Sequence, residues 1–309
     1  MSKLVFILFL TISWLSKAQN LVPNGSFEIL ADCPLGADIE KAIGWFSPNN
    51  GTPDLFNVCA NISSNCSVPI NGFGYQHAQD GNGYAGIVTY SYSGSSNNYR
   101  EYLEIELTST LKNKTLYHIS FFKNQSNNSP VAANNLSYGF SKDVIYQSVQ
   151  SIISPTYVYE DKTLLNDTLN WIKVEGYYLA TGGENYLLIG NFLNDSQTDT
   201  ISTGMPQTDA YYLIDNISVT EFPIGNENIF TPNNDGVNDV IFKNQSFVGF
   251  EVEILNRWGE IINQVNYGVG WDGKSRRGDD AVEGIYFFNI RSINNSKDII
   301  KTGFFQLMR

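Results

Sequence analysis

Tyr211-Tyr-Leu-Ile-Asp-Asn-Ile-Ser-Val219 is the stretch on which the fold turns. Its Tyr, Ile and Val residues suit a pleated, half-buried surface. By period two, Tyr211, Leu213, Asp215, Ile217 and Val219 share one face of a strand. Asp215 therefore stands in an apolar row, where an ionised carboxylate is costly unless something compensates it. A hard cation such as calcium, held by carboxylates and main-chain carbonyls, is one compensation. A bulge cap, or a pairing with Arg100 or a Lys, is the other.

The same signature recurs upstream. Tyr102–Leu107, Thr115–Lys123, Trp171–Tyr178 and Asn185–Asn191 are rich in Tyr, Ile, Leu, Val and Phe, with Gly, Asn, Asp and Ser clusters between them. Short strands punctuated in this way predict an all-β sandwich or barrel. Within Thr115–Lys123, Tyr117, Ile119 and Phe121 form the drier face, opposite Leu116, His118, Ser120 and Phe122. Val144–Ile153 also fits a helical stripe through Val144, Ile145, Ser148, Val149 and Ile152. Pro155 and the β-rich surroundings favour strand and loop there.

Composition agrees. The chain of 309 residues is 42% apolar and 14% aromatic but only 16% charged, against roughly 25% charged in ordinary domains. Disorder needs few aromatics and high charge. With 35 Asn and 26 Gly, turn formers take the place of charge. A formal charge of −12 excludes nucleic acid as a partner, since phosphate binding needs a basic footprint. Length alone suggests two domains, at about 150 residues each.

Residues 1–18 read as a secretory signal peptide. Lys3 gives the positive start, Leu4–Leu15 is apolar apart from Thr11 and Ser13, and Ser16-Lys17-Ala18 precedes a cut before Gln19. The run is shorter than the roughly 20 apolar residues of a membrane span, and no later stretch could cross a bilayer. Residues 19–221 hold 20 acidic and 8 basic side chains, and residues 222–309 hold 11 and 9. That step places a boundary near Phe222-Pro223-Ile224-Gly225-Asn226. Cys33, Cys59 and Cys66 all lie in the first module. Export permits a disulfide, but spacing does not choose the pair, and no CxxC or nearby His argues for zinc.

The ends of the first module carry its specific motifs. Asn20-Leu-Val-Pro-Asn-Gly-Ser-Phe-Glu28 and Gly44-Trp45 stand near the start, and Tyr211–Val219 stands at the close. Together they resemble the galactose-binding-like jelly rolls of carbohydrate-binding modules. The resemblance implies a jelly-roll β-sandwich over residues 19–221. It also implies a structural calcium between the first and last strands, with Glu28 and Asp215 at the matching positions. Gly72-Phe-Gly-Tyr-Gln-His-Ala-Gln-Asp-Gly-Asn-Gly-Tyr-Ala-Gly-Ile87, with Gly51-Thr-Pro-Asp-Leu-Phe-Asn57 and Asn98-Tyr-Arg-Glu-Tyr-Leu103, resembles a module of exported proteins from Bacteroidetes-type bacteria.

Sugar binding needs aromatic faces beside amide or carboxylate groups. Trp45, Tyr75, Tyr84, Tyr90, Tyr92 and Tyr99 are the aromatic candidates, with Gln76, His77, Arg100 and Glu101 beside them. Trp45 also reads as core, as does Trp171; Tyr90 and Tyr92, in a Ser/Gly-rich loop, read as exposed. His77 and His118 are the only imidazoles. No Gly-x-Ser-x-Gly elbow, His-Glu-x-x-His or phosphate loop is present, so neither catalysis nor an organic cofactor is expected.

Residues 222–309 form a second module. Phe230-Thr-Pro-Asn-Asn-Asp-Gly-Val-Asn-Asp239, Val252-Glu-Ile-Leu-Asn-Arg-Trp-Gly-Glu260, Trp271-Asp-Gly273, Gly284-Ile-Tyr-Phe-Phe288 and Gly303-Phe-Phe-Gln-Leu-Met-Arg309 follow one another. Phe250, Val252 and Ile254 alternate with Glu251 and Glu253, as in a half-buried strand. Ile285–Ile290 and Thr302–Met308 predict two more, and a smaller Ig-like β-sandwich is expected. Asn256-Arg257-Trp258-Gly259 reads as a turn with an aromatic anchor. Asp235 and Asp239 space oxygen ligands as calcium loops do, without the twelfth-position Glu; an Asx-turn network is the other reading, and the favoured one. The motifs resemble the gliding-motility-associated C-terminal domain, the type B sorting signal of the type IX secretion system. That resemblance assigns the sorting motif to Asn233, Asp235, Gly236, Asn238, Asp239, Asn256, Arg257, Trp258, Gly259, Trp271, Asp272, Gly273, Gly284 and Tyr286. It implies the secretion translocon and its sorting machinery as partners. One departure is Val282-Glu283-Gly284, where the pattern usually has a Pro before Gly-x-Tyr.

The expected protein is an exported surface or extracellular binder whose first module holds glycan. A structural or adhesive protein making protein contacts is the alternative, and a glycoside hydrolase built on unspecified carboxylates is the third.

Overall fold

The computed structural model describes residues 19–36, 38–91, 98–164, 166–202, 209–222, 228–243, 250–292 and 299–309. The signal segment 1–18, Tyr92, and residues 223–226 of the expected boundary lie outside the described residues. The chain is all-β, as expected. Among the described residues its helical pieces are the 3-10 turns Ile39–Lys41 and Asp195–Gln197.

In the first unit the strands are β1 (Trp45–Phe46), β2 (Asp54–Asn57), β3 (Ile70–Asn71), β4 (Gly74–Tyr75), β5 (Gly83–Tyr90), β6 (Tyr102–Glu106) and β7 (Leu116–Gln125). They continue with β8 (Val131–Ala133), β9 (Ser137–Ser141), β10 (Tyr157–Tyr159), β11 (Ile172–Leu179), β12 (Tyr186–Gly190), β13 (Thr200–Ser202) and β14 (Ala210–Glu221). One sheet runs β1-β6-β12-β9-β10 and the other β11-β7-β14-β5-β2. They pack as a jelly-roll sandwich around a core that includes Phe27, Ile87, Leu103, Ile105, Ile119, Phe121, Phe140, Leu187, Ile189 and Ile214. The drier face of β7 is the core face: Tyr117, Ile119 and Phe121 are all buried there. Residues 144–153 form no helix; they lie as loop over the outside of the first sheet, where Ile145 and Ile153 meet Tyr102 and Leu188.

The single-face reading of β14 needs correction. Register shifts between Asp215 and Ser218, and Asn216 takes a left-handed φ of 49°. A bulge inserts one residue and reverses which face the later side chains occupy. Tyr212 and Ile214 therefore share the core with Ile217 and Val219, while Tyr211 and Leu213 belong to a separate cluster on the outer face. Asp215 follows that outer series, with 0% exposure.

The Asn24-Gly-Ser-Phe-Glu28 motif closes against this bulge. Ile217 donates its N–H to the Gly25 carbonyl at 2.9 Å. A Cβ on Gly25 would collide with the Ile217 carbonyl, so the close approach requires glycine. The Asn24 side chain accepts the Ile29 N–H and donates to the carbonyls of Ile29 and Ile43. Phe27 is driven into the core beside Trp45, with ring centroids 5.0 Å apart. Cys33 and Cys59 form a disulfide, and Cys66 stays reduced and buried.

In the second unit β15 (Ile229–Phe230), β16 (Phe250–Leu255), β17 (Ile261–Asn266), β18 (Gly284–Ser292) and β19 (Ile299–Leu307) form one sheet, ordered β15-β19-β18-β16-β17. Val252, Ile254, Phe288, Ile290, Phe305 and Leu307 are buried in a cluster with Ile241, Phe242, Tyr267 and Trp271. The covering layer is irregular and linked by bridges such as Ile241–Trp271. On the opposite face Phe287 pairs with Phe304, which is 61% exposed.

Replacing Phe121 with Ala should cost about 3–5 kcal/mol, because it leaves a cavity between two sheets. Phe304→Ala should stay within about 0.5 kcal/mol, as at other exposed sites. Denaturant titration of the full chain checks both; equal losses would contradict the assignment of faces.

Candidate functional site

The outer face of the second sheet carries Phe56, Tyr84, Val88, Tyr211 and Leu213, covered in part by Val68, Phe73, Ala78, Tyr99 and Trp171. These side chains point outward because strand alternation gives the core the other set. The β3–β4 hairpin and the segment after it form the cover. Phe73 stacks on Tyr211 with centroids 3.7 Å apart and planes 8° from parallel. Tyr75 donates its N–H to Asn127 Oδ1 at 2.7 Å, and Asn128 Nδ2 donates to the Gly72 carbonyl at 3.1 Å.

Two carboxylates clamp the segment that leads into β5. Asp215 Oδ2 accepts the N–H groups of Gln79 (2.8 Å) and Asp80 (2.9 Å), and Oδ1 accepts that of Asn216 (2.6 Å). Glu28 Oε1 accepts the N–H groups of Asn82 (2.7 Å) and Gly83 (2.9 Å), and Oε2 accepts Asn82 Nδ2. Burial pushes the Asp215 carboxyl up to about 7, outweighing its three N–H donors. Those donors present positive ends where a cation would sit, so the set fits a main-chain clamp better than calcium. Among the described residues no three His, Cys, Asp or Glu side chains gather as metal ligands.

A second acidic group lies farther along this face. Tyr211 donates its hydroxyl to Asp54 Oδ2 at 2.5 Å. Burial, with Glu101 nearby, raises Asp54 to about 7, although the Tyr211 hydrogen bond opposes the shift. Glu101 accepts the Val88 N–H at 2.8 Å, the Tyr99 hydroxyl at 2.9 Å and the Thr52 N–H at 3.1 Å. Burial raises its carboxyl too. Beside these groups lies a cavity of about 190 Å³, lined by Phe73, Val88, Asn128, Ser129, Asp209 and Tyr211.

The sequence candidates separate into two sets. Tyr75, Gln76 and His77 come together at the surface. Tyr75 is 55% exposed, its hydroxyl lies 3.0 Å from His77 Nε2, and the two rings meet edge to face at 5.4 Å. Gln76 donates to the Leu169 carbonyl, and Trp171 Nε1 donates to the His77 carbonyl. Trp171 is thus part of this rim and not of the inter-sheet core. The remaining candidates among the described residues are engaged within the fold. Trp45 is buried, donating Nε1 to the Asn24 carbonyl, and Tyr84 is buried between Asn71 and the Gln76 carbonyl. Arg100 is fully buried, bound to the Tyr99 and Leu193 carbonyls and to Asp195. Tyr90 packs on the core with the Arg100 guanidinium 5.5 Å from its ring. Glu101 and Tyr99 pair with each other. Sequence reading missed Phe73, Asp54, Tyr211, Ser129 and Asp209. Alternation through the bulge was the only signal for Tyr211.

In the second unit the turn motifs do local work. Asn256 Oδ1 accepts the N–H groups of Trp258 and Glu260, and Gly259 takes φ 81°. Trp258 does not anchor this turn: it is 78% exposed, because the hairpin end extends past the core. Trp271 is the anchor, buried with Nε1 on the Lys274 carbonyl. Gly273 takes φ 83°, and the Asp272 side chain accepts the Lys274 N–H. Asp239 accepts the N–H groups of Asn234 and Gly236, and Asp235 that of Val237, with Asn233 bonded to Asp235. Left-handed backbone at Asn234, Gly236 and Asn238 completes an Asx-turn network. Tertiary packing brings Asn256, Arg257 and Trp258 together with Gly284 and Tyr286 along one groove of about 510 Å³. At the departure from the motif, the Val282 carbonyl accepts the Tyr286 hydroxyl at 2.8 Å.

Fold and motifs together define a β-sandwich module joined to a C-terminal sorting unit. Residues 224–307 match the CHU_C type IX secretion signal domain, so the chain carries an export signal of that system. Such a signal implies delivery to the cell surface or extracellular space. No curated protein matches the chain. Among solved structures, the CBM22-1 xylan-binding domain of Paenibacillus barcinonensis Xyn10C is 15% identical, covering 67% of this chain and 97% of its own at a TM-score of 0.35. TmCBM61 in complex with β-1,4-galactotriose is 13% identical, with 66% and 100% covered and a TM-score of 0.33. The K1 cleaved adhesin domain of Lys-gingipain from Porphyromonas gingivalis W83 is 13% identical, with 59% and 92% covered and a TM-score of 0.30. No helix among the described residues is long and apolar enough to cross a membrane.

Asp54 and Asp215 sit near 7 when folded and near 3.9 when unfolded. Their raised values mean that the folded state holds protons more tightly. The stability this contributes is present below about pH 4 and is lost as pH rises through about 7. Asp54→Asn should therefore gain melting temperature relative to the parent chain between those limits; a constant difference across them would refute the shift. Because N–H donors already satisfy Glu28 and Asp215, EDTA should leave the melting temperature unchanged. A calcium-dependent rise would instead assign these carboxylates to a metal.

Proposed function

We propose that this chain is an exported, non-catalytic binding protein that holds glycan on the outer face of its first unit. The observation that carries this reading is the rim of the covering hairpin. There Tyr75 and His77 stand exposed on a backbone pinned by Asn127, while Phe73, two residues earlier, enters the wall of the cavity. An aromatic surface on a fixed backbone meets a sugar ring at little entropic cost. The imidazoles have other partners: His77 meets Tyr75, and His118 lies 3.2 Å from Glu175.

The second unit is the address. In this proposal it folds after inner-membrane export, is read by the outer-membrane type IX translocon and its sorting machinery, and delivers the first unit to the cell surface or medium. Deleting residues 224–309 should then retain the first unit in the periplasm. Normal delivery of the truncated chain, followed by cell fractionation, would refute the assignment.

For the first unit, a glycan array with the full chain should give binding that Tyr75→Ala weakens. Losing an aromatic anchor costs on the order of 2 kcal/mol, roughly thirty-fold in Kd. Absence of binding to every glycan, or binding indifferent to Tyr75→Ala, would remove the glycan reading at this rim. Release of sugar from a bound polysaccharide would remove the non-catalytic one.

A further inference from the structure

We infer that residues 144–150 are a strap over the outer face of the first sheet, and that the strap opens when the Glu104 carboxyl beneath it loses its proton. Such a strap works independently of the rim and its ligand.

Strand alternation places Glu104. Leu103 and Ile105 of β6 belong to the core between the sheets, so Tyr102 and Glu104 turn outward. Glu104 is nevertheless 0% exposed. Across the ladder it stands beside Phe46 and Leu188, and Tyr102, Ile153, Leu188 and Phe192 form an apolar group on the same face. Glu104 Oε1 accepts the Ile145 N–H at 3.1 Å, while Oε2 is buried without a hydrogen-bond partner.

A buried carboxylate needs a cation or a full set of donors. Glu104 has neither. Of the charged groups on the elements around it, Glu106, Lys142 and Asp143 are exposed, and Arg100 is bound to Asp195. The other titratable groups on this face are hydroxyls, Tyr102 on the Asn191 carbonyl and Tyr186 across from Glu106. Burial pushes the Glu104 carboxyl up to about 7 against the single Ile145 N–H. The closed strap therefore holds Glu104 protonated.

The strap itself carries no Asp, Glu, Lys, Arg or His. Val144, Tyr146 and Val149 are exposed, and within residues 144–150 it is Ile145 that packs on the apolar group below. Polar bonds hold the rest. The Gln147 N–H donates to the Pro48 carbonyl at 2.8 Å, Asn50 Nδ2 to the Ser148 carbonyl at 2.7 Å and Gln150 Nε2 to the Asn50 carbonyl at 2.9 Å. The Arg100 N–H donates to the Gln150 carbonyl at 3.2 Å. A segment with few buried apolar contacts and exposed hydrogen bonds opens before the core does. Lifting it at Ile145 admits water to both Glu104 oxygens and uncovers Tyr102 and Leu188.

The sign follows from linkage. With the strap open, Glu104 has the ordinary value of about 4.3. Its raised value when closed supports closure fully below about pH 4, and that support is lost as pH rises through about 7. Between these limits the opening equilibrium climbs by up to about ten-fold per pH unit.

Amide hydrogen exchange of the full chain, corrected for the intrinsic rate, reads the opening. Protection of the Ile145 and Gln147 amides should fall more than roughly ten-fold from about pH 5 to about pH 7 and level off above that. Amides of β7 should stay protected, which shows that the first unit remains folded. Glu104→Gln keeps the shape of the side chain but cannot ionise, and should remove the fall. Asp54→Asn removes a carboxyl raised to about 7 on the other sheet, and should leave the fall in place. Strap protection that is flat with pH in the parent chain overturns the inference, as does a fall shared equally by β7 or one that survives Glu104→Gln. The parent profile decides by itself if Glu104→Gln fails to fold.

Discussion

The bulge in β14 governs the first unit. This strand lies at the centre of its sheet and pairs with β5 and β7. The extra residue at Asn216 lets one strand serve two environments. Before it, Tyr212 and Ile214 fill the sandwich core while Tyr211, Leu213 and Asp215 face outward. After it, Ile217 and Val219 take over the core. Without the shift, either the core would lose two aliphatic side chains or Asp215 would enter it. The N-terminal motif seals the same place: Gly25 admits the Ile217 carbonyl, and Asn20 Oδ1 accepts the N–H groups of Val22 and Val219.

That arrangement explains how a chain rich in acid tolerates buried carboxylates. Asp215 accepts the main-chain N–H groups of Gln79 and Asp80, and Glu28 those of Asn82 and Gly83, so that each carboxylate meets donors it would otherwise lose with water. Asp54 and Glu101 are held by hydroxyls and main-chain N–H groups of the same face. Each is anchored from outside its own strand, so the carboxylates tie the covering segment to the sheet. Asp209 Oδ1 and Glu104 Oε2 differ, each buried without such a partner.

The second unit solves a different problem with similar means. Its sheet buries one face under an irregular layer, and Trp271, packed against Phe230, Tyr286 and Phe305, holds that layer in place. Glycines with positive φ at 259, 273 and 284 turn the chain where a side chain would be strained. The motifs that look separate in sequence are therefore neighbours in space, and Arg309, at the end of the chain, returns to the carbonyls of Pro232 and Gly273.

The all-β class, the positions of the long strands and the sorting unit are legible in the amino-acid sequence. Those rest on local periods and on motifs that act within a few residues. It identified Asn24-Gly-Ser-Phe-Glu28 and Asp215 as a linked pair, but not how they are linked. That Tyr211 and Asp215 face outward while Ile217 and Val219 face the core follows from the folded sheet, because one inserted residue at Asn216 inverts a period-two count. Only packing separated exposed Tyr75 and His77 from buried Tyr84, Trp45 and Arg100, since aromatic and polar residues in Gly-rich segments look alike until a sheet covers some of them. The cavity was invisible for the same reason: Phe73, Asp209 and Tyr211 come from a hairpin, a strand approach and a strand, and nothing local announces that they meet.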